Sequence, residues 1–207
     1  MNSLALVRFV GDWLLGIARV VSEQPGESEQ IHLRKITVVI SAIVVPAAAI
    51  IWVMIYFVSG EDLAGLVPTL HTSLTAFNIV VYKFSGRYRA FEFSQLTLNL
   101  ILPFLLTLTL SGFLSSSAVV IWALVTPMGA IVYSSRRMSN FWFVAFLGAV
   151  IFGALINSSL DYANSVPAWA RMTLFAGNIL VPSSVAFFLL AYLVKQNDIA
   201  YALVSFE

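Results

Sequence analysis

The chain has 207 residues, 60% of them hydrophobic and only 10% charged, with a net charge of +1 and no cysteine. A water-soluble domain is typically about 45 to 50% apolar and about 25% charged, so this composition predicts an integral membrane protein. It excludes disulfides, thiolate metal sites and thiol catalysis, and without a basic block it excludes nucleic acid as a partner. At roughly 20 residues per crossing of ~30 Å of hydrocarbon, six or seven spans are the ceiling.

The opening stretch LALVRFVGDWLLGIARVV is interrupted by Arg8, Asp12 and Arg19, unlike a cleaved signal peptide. On a helical projection Arg8, Asp12, Gly16, Arg19 and Glu23 share one narrow arc, and Leu6, Phe9, Val10, Trp13, Leu14, Ile17 and Val20 fill the rest. This pattern predicts an amphipathic interfacial helix over residues 1–24, polar side to water and apolar side to lipid or to the protein. Pro25 and Gly26 then break it and open a linker expected over 25–35.

Uncharged apolar runs follow at 36–58, 63–82, 93–110, 114–133, 141–157 and 173–194, each long enough for a helix that spans, the fifth only just. The fold expected is therefore an all-α membrane protein, a six-transmembrane-helix bundle over 36–194 followed by a cytoplasmic signalling helix over 195–207. Ten of the 11 Lys and Arg side chains fall on one side of a six-span arrangement and only Arg171 on the other. The loops opposite carry Glu61, Asp62 and Asp161. Lys and Arg are retained in the cytoplasm, so both termini are expected there. Trp142 and Trp169 lie at span ends, where interfacial rings are favoured.

Prolines interrupt five of the runs, at Pro46, Pro68, Pro103, Pro127 and Pro182, and each removes a helical hydrogen bond. The fifth run has none and carries Ala145, Ala149, Gly153 and Asn157 at four-residue spacing, a face small enough for another helix to approach closely.

No Asp, Glu, Lys or Arg lies centrally in any run, which weighs against an ion pump, a proton relay or a voltage sensor. Polar groups gather instead on a stripe of the second run, His71, Thr75, Asn78 and Tyr82, with Gln95, Asn99, Asn157 and Asn178 as further intramembrane amides. Two readings stand: interhelical hydrogen bonds, worth about 0.6 kcal/mol each on average, or a pocket for a lipophilic ligand opening to the outer side. There is no metal-binding cluster, no phosphate-binding glycine loop and no nucleophile paired with a base, so neither catalytic residues nor a cofactor are expected in this chain.

The closing stretch RMTLFAGNILVPSSVAFFLLAYLVKQNDIAYALVSFE runs from a last span with an internal Asn through a polar exit into an amphipathic helix. It resembles the junction in membrane-bound bacterial class III adenylate and guanylate cyclases, where a six-span anchor is joined by a short signalling helix to a catalytic domain. The resemblance implies a membrane anchor and receptor-like regulatory domain in the bacterial cytoplasmic membrane. It implies pairing as a homodimer and a C-terminal cyclase domain as partner. The family's nucleotide- and metal-binding aspartates match no position here and would be expected beyond Glu207. Ile199, Leu203 and Phe206 recur at spacings of four and three, the seam of a parallel two-helix coiled coil that would carry the signal. The rival classes are a stand-alone channel or carrier for a small neutral or lipophilic molecule, and the sensor part of a histidine kinase or diguanylate cyclase.

Overall fold

The computed structural model describes residues 3–23, 27–113, 115–157, 159–160 and 166–204, and every regular element among them is helical. In chain order these are α1 (Ser3–Ser22), α2 (Glu29–Val58), α3 (Asp62–Ser85), α4 (Tyr88–Thr109), a 3-10 stretch (Val119–Leu124), α5 (Val125–Tyr133), α6 (Arg136–Asn157) and α7 (Ala168–Val204). Five segments are long and apolar enough to cross a membrane: Ile31–Val58, Asp62–Ser85, Tyr88–Thr109, Arg136–Asn157 and Ala168–Ala191. The chain is a multi-pass membrane protein.

The bundle has two chemically distinct ends. Glu61 and Asp62 stand at the α2–α3 turn, while Lys83, Arg87 and Arg89 surround the α3–α4 turn, so we refer to an acidic and a basic end. At the basic end the chain reverses in two residues, Gly86 and Arg87. Gly86 has φ +65°, the left-handed conformation that ends a helix without a Cβ clash. One apolar cluster, including Val39, Phe91, Leu96 and Tyr133, fills the basic half. A second, around Tyr56, Leu106, Leu110 and Leu174, fills the acidic half.

Helix boundaries exceed the apolar runs because backbone hydrogen bonding continues through polar residues. α2 begins at Glu29, so most of the expected linker over 25–35 is helix, and its Lys35 is buried in an ion pair with Glu27. α1 shows three faces. Leu14, Ile17, Ala18, Val21 and Ser22 turn inward, Arg8, Asp12, Arg19 and Glu23 lie exposed, and Phe9, Trp13 and Val20 form an exposed apolar strip. Lys83 of α3 donates to the Val20 carbonyl, holding the end of α1 at the basic end.

The expected span at 114–133 is not one long helix. Regular structure begins only at Val119, its first six residues are 3-10, and Leu114 lies outside the described residues. Ser111, Gly112, Ser117 and Ala118 all adopt positive φ, which a continuing right-handed helix cannot contain. Serine hydroxyls also compete for the backbone here, Ser116 Oγ donating to the Phe113 carbonyl at 3.2 Å.

This irregular segment is nonetheless the centre of the bundle, with α5 packed against α2, α4, α6 and α7. Ser134, at the foot of α6, donates to Glu92 near the start of α4. At the other end the Phe113 N–H, just past α4, donates to Asn157 Oδ1 on the last turn of α6 at 3.0 Å. α4 and α6 are therefore parallel, and the segment between them returns along the full depth of the bundle.

The small-residue face of α6 is used within the chain. Gly153 leaves no room for a side chain, since a Cβ there would sit 2.7 Å from the Phe113 ring and 3.3 Å from Phe104. Ala145 and Ala149 pack on the basic-half core. Trp142 departs from expectation: it is buried against Phe93 and Phe141 because α6 begins at Arg136 and carries it inside. Trp169 is exposed.

Candidate ligand cavity and its link to the last helix

α3 and α4 face each other through a polar ladder. His71 Nε2 lies 3.2 Å from Asn99 Oδ1, and Thr75 Oγ1 lies 3.4 Å from Gln95 Oε1. Each step of four residues forward on α3 is a step of four backward on α4, so both rungs belong to one antiparallel register. An amide oxygen can only accept, so His71 Nε2 carries the proton of the first rung.

That register also places two prolines opposite one another, Pro68 one turn before His71 and Pro103 one turn after Asn99. Each lacks an N–H and opens its helix locally; Pro103 deprives the Asn99 carbonyl of its helical partner. A cavity of about 70 Å³ lies at this paired defect, lined by both prolines, His71 and Asn99, by Val45, Ala49 and Trp52 of α2, and by Val119, Trp122 and Val125. From the acidic ends of α3 and α4 it is about 14 Å deep at 1.5 Å per residue, near the middle of the apolar slab. Among the described residues no charged side chain lines it.

The two tryptophans that wall the cavity are held by α7. Asn178 is fully buried, and its Oδ1 accepts from Trp52 Nε1 at 2.7 Å and from Trp122 Nε1 at 2.9 Å. Its Nδ2 donates to the Ser117 carbonyl at 2.9 Å. The two indoles meet edge to face, with centroids 5.4 Å apart and planes at 88°. α7 can approach this closely because position 177 is glycine: a Cβ there would lie 2.9 Å from the Trp52 ring. One amide thus joins α2, the 3-10 stretch, a left-handed serine and α7.

The polar residues singled out from sequence separate into distinct places. His71 and Asn99 line the cavity; Thr75 and Gln95 form the rung beneath it; Asn178 holds its walls. Tyr82 is buried at the basic end, stacked on Phe91 at 4.6 Å, and Asn78 is half-buried and joins neither rung. Asn157 closes the turn after α4 and is remote in role. For Ile199 and Leu203 the description covers the helical backbone alone, and Phe206 lies outside the described residues. Sequence reasoning missed Trp52, Trp122 and the Ser117 carbonyl. The signal available was the pair of prolines, one about a turn before His71 and one about a turn after Asn99.

The chain matches no protein-family model, no curated protein and no solved structure.

Proposed function

We propose that this chain is the membrane regulatory domain of a class III nucleotide cyclase, in which the state of the central cavity is read by α7 and passed toward the cytoplasm. The observation that carries this reading is Asn178. A single residue of α7 bonds both tryptophans of the cavity wall, so any change that parts those rings acts directly on α7. α7 continues as helix to Val204, well past Ala191 where its apolar stretch ends, through Lys195 and Asp198. That continuity supports an output element that leaves the bilayer. The cyclase itself is proposed on the resemblance of residues 171–207, and pairing of two copies along Ile199 and Leu203 belongs to the same proposal.

Six crossings and cytoplasmic termini in a bacterial inner membrane are part of this reading. Six 3-10 residues at about 2.0 Å rise and nine α residues at about 1.5 Å extend about 25 Å, close to the hydrocarbon thickness. The parallel run of α4 and α6 supports the same count, and the cations at the basic end support its cytoplasmic placement. The chain has no cysteine of its own, so in intact cells a membrane-impermeant maleimide is expected to label Gly60→Cys and to spare Ser85→Cys and Ser135→Cys; labelling of Ser85→Cys or Ser135→Cys rejects this topology.

The functional test is cyclic-nucleotide formation in membranes carrying the native gene product. Asn178→Leu is expected to change the rate several-fold per molecule of protein in the membrane, and disulfide cross-linking between copies is expected at Leu203→Cys and to be weak at Asp198→Cys. Unchanged cyclic-nucleotide formation in Asn178→Leu, or none with the wild-type protein, overturns the regulatory reading.

A further inference from the structure

We infer that the cavity between α2, α3, α4 and the 3-10 stretch binds a neutral, largely apolar molecule carrying a single carbonyl acceptor, held by Asn99, and encloses about five or six of its non-hydrogen atoms. The inference deepens the proposed function by naming the chemistry of the signal, and it rests on that reading only for what binding would do.

The chemistry follows from which polar groups the cavity still offers. The indole N–H groups of Trp52 and Trp122 are both engaged by Asn178, so these rings present only carbon to the space between them. Asn99 Oδ1 is taken by His71, which leaves Asn99 Nδ2 with two donors and no bond to any described residue. An amide NH₂ facing a cavity inside hydrocarbon is an unusual thing to leave open, because its desolvation is unfavourable without an acceptor. The complement is an acceptor oxygen. It must be uncharged, since among the described residues no Lys or Arg lines the cavity to offset the burial of a carboxylate or phosphate, and no Asp or Glu lines it to receive an amine. The rest of the lining, Val45, Ala49, Val67, Leu98, Leu102 and Leu106 among it, is apolar and selects an alkyl or aryl body.

Size narrows the class further. About 10–15 Å³ of such volume holds one water, and each water occupies about 30 Å³ of liquid, so a cavity of about 70 Å³ takes roughly five waters, or about 150 Å³ of ligand. That is the volume of benzene, about six non-hydrogen atoms, and far below a phospholipid or a long-chain fatty acid, and because the cavity is open on one side the end of a somewhat longer alkyl chain can lie outside it. A water cluster is a poor occupant, because each water needs two to four polar partners and among the described lining residues only His71 and Asn99 offer polar side-chain atoms, the tryptophan N–H groups being taken by Asn178.

The test is photolabelling of the full chain in phosphatidylcholine vesicles with a seven-carbon ketone bearing a diazirine in its alkyl chain, sites being read by mass spectrometry. Adducts are expected on the stretches around Pro68–His71, Leu98–Leu106 and Val119–Val125, displaced by 2-heptanone. At equal mole fraction in the membrane, heptane and heptanoate should each be about tenfold weaker as competitors. Ala49→Phe should abolish cavity adducts, and Asn99→Leu should erase the preference for ketone over heptane. Competition in the wild-type chain needs no variant, so a misfolded mutant does not spoil the result. Adducts spread evenly over exposed positions of α6 and α7 would overturn the site, and equal competition by ketone and heptane would overturn the hydrogen-bond assignment. Either failure leaves the effect of Asn178→Leu on cyclic-nucleotide formation untouched. Intact ketone labelling beside an inert Asn178→Leu would sink the regulatory reading and leave the ligand.

Discussion

The stretch from Leu110 to Tyr133 and the helix after it, α6, are similar in length and both dominated by apolar residues, yet protein wraps the first and leaves the second bare. Between them lies only a two-residue turn. α6 buries just Trp142 and Gly153, and Phe143, Val144, Leu147, Ile151, Phe152 and Leu155 all face outward. The 110–133 stretch buries Leu110, Ser116, Ser117, Ala123, Thr126, Ala130 and Tyr133, among others. Hydrophobicity does not separate them; backbone bonding does. A regular helix satisfies its own amides and can meet lipid anywhere, whereas a chain with four left-handed residues and a 3-10 turn leaves groups that hydrocarbon cannot solvate. Side chains from the neighbouring helices supply what it lacks: Asn178 bonds the Ser117 carbonyl and Asn157 the Phe113 N–H, while Thr126 of the stretch itself donates outward to the Leu96 carbonyl of α4.

The contrast breaks most visibly at Asn178. Asn178→Leu leaves two indole donors and a carbonyl unpaired in the interior and is expected to lower stability by about 2–4 kcal/mol, read as unfolding in detergent micelles. A loss no larger than that of an exposed α6 substitution would mean the irregular segment supports itself. A smaller effect is expected within α6, where the two sides should behave differently. Gly153→Leu drives a side chain into Phe113 and Phe104 and should cost about 2 kcal/mol, while Gly148→Leu meets open space and should change stability by less than about 0.5 kcal/mol. Similar losses at both glycines would place protein on the outward side of α6, where Gly148 meets open space. The smallest expected effect is at Thr126→Val, which removes one bond of 3.2 Å to the Leu96 carbonyl and should cost about 0.6 kcal/mol, the usual worth of a single hydrogen bond between membrane helices.

The same contrast explains what the sequence made legible. Long regular helices advertise themselves by unbroken apolar runs, which is why α2, α3, α4, α6 and α7 were each foreseen, though with ends clipped wherever the helix runs on through polar residues such as Glu29–Lys35 or Arg136–Asn140. A run of equal apolarity at 114–133 carries no mark of its backbone, because burial in protein and exposure to lipid call for the same residue types. The serines at Ser111 and Ser115–Ser117 and the glycine between them were the local hint. Within the site, His71, Asn99 and Asn178 stood out as amides and imidazole in hydrocarbon. Their partners did not, since an indole reads as one more apolar ring until a second helix brings an acceptor to its nitrogen. Nor could spacing show that His71 and Asn178 serve one cavity from opposite sides, a relation made only by packing.

The bonds made by Asn178 also set an order of events during synthesis. They span 126, 61 and 56 residues of chain, whereas the rungs of the α3–α4 hairpin span 28 and 20. A chain delivered to the membrane from its N-terminus can zip the hairpin as soon as α4 has entered, and must hold Trp52, Trp122 and the Ser117 carbonyl unpaired until α7 arrives. The last helix is the latch of assembly. A nascent protein stalled or cut before residue 178 would display those groups in the bilayer, a mark of incompleteness that membrane chaperones and proteases can recognise.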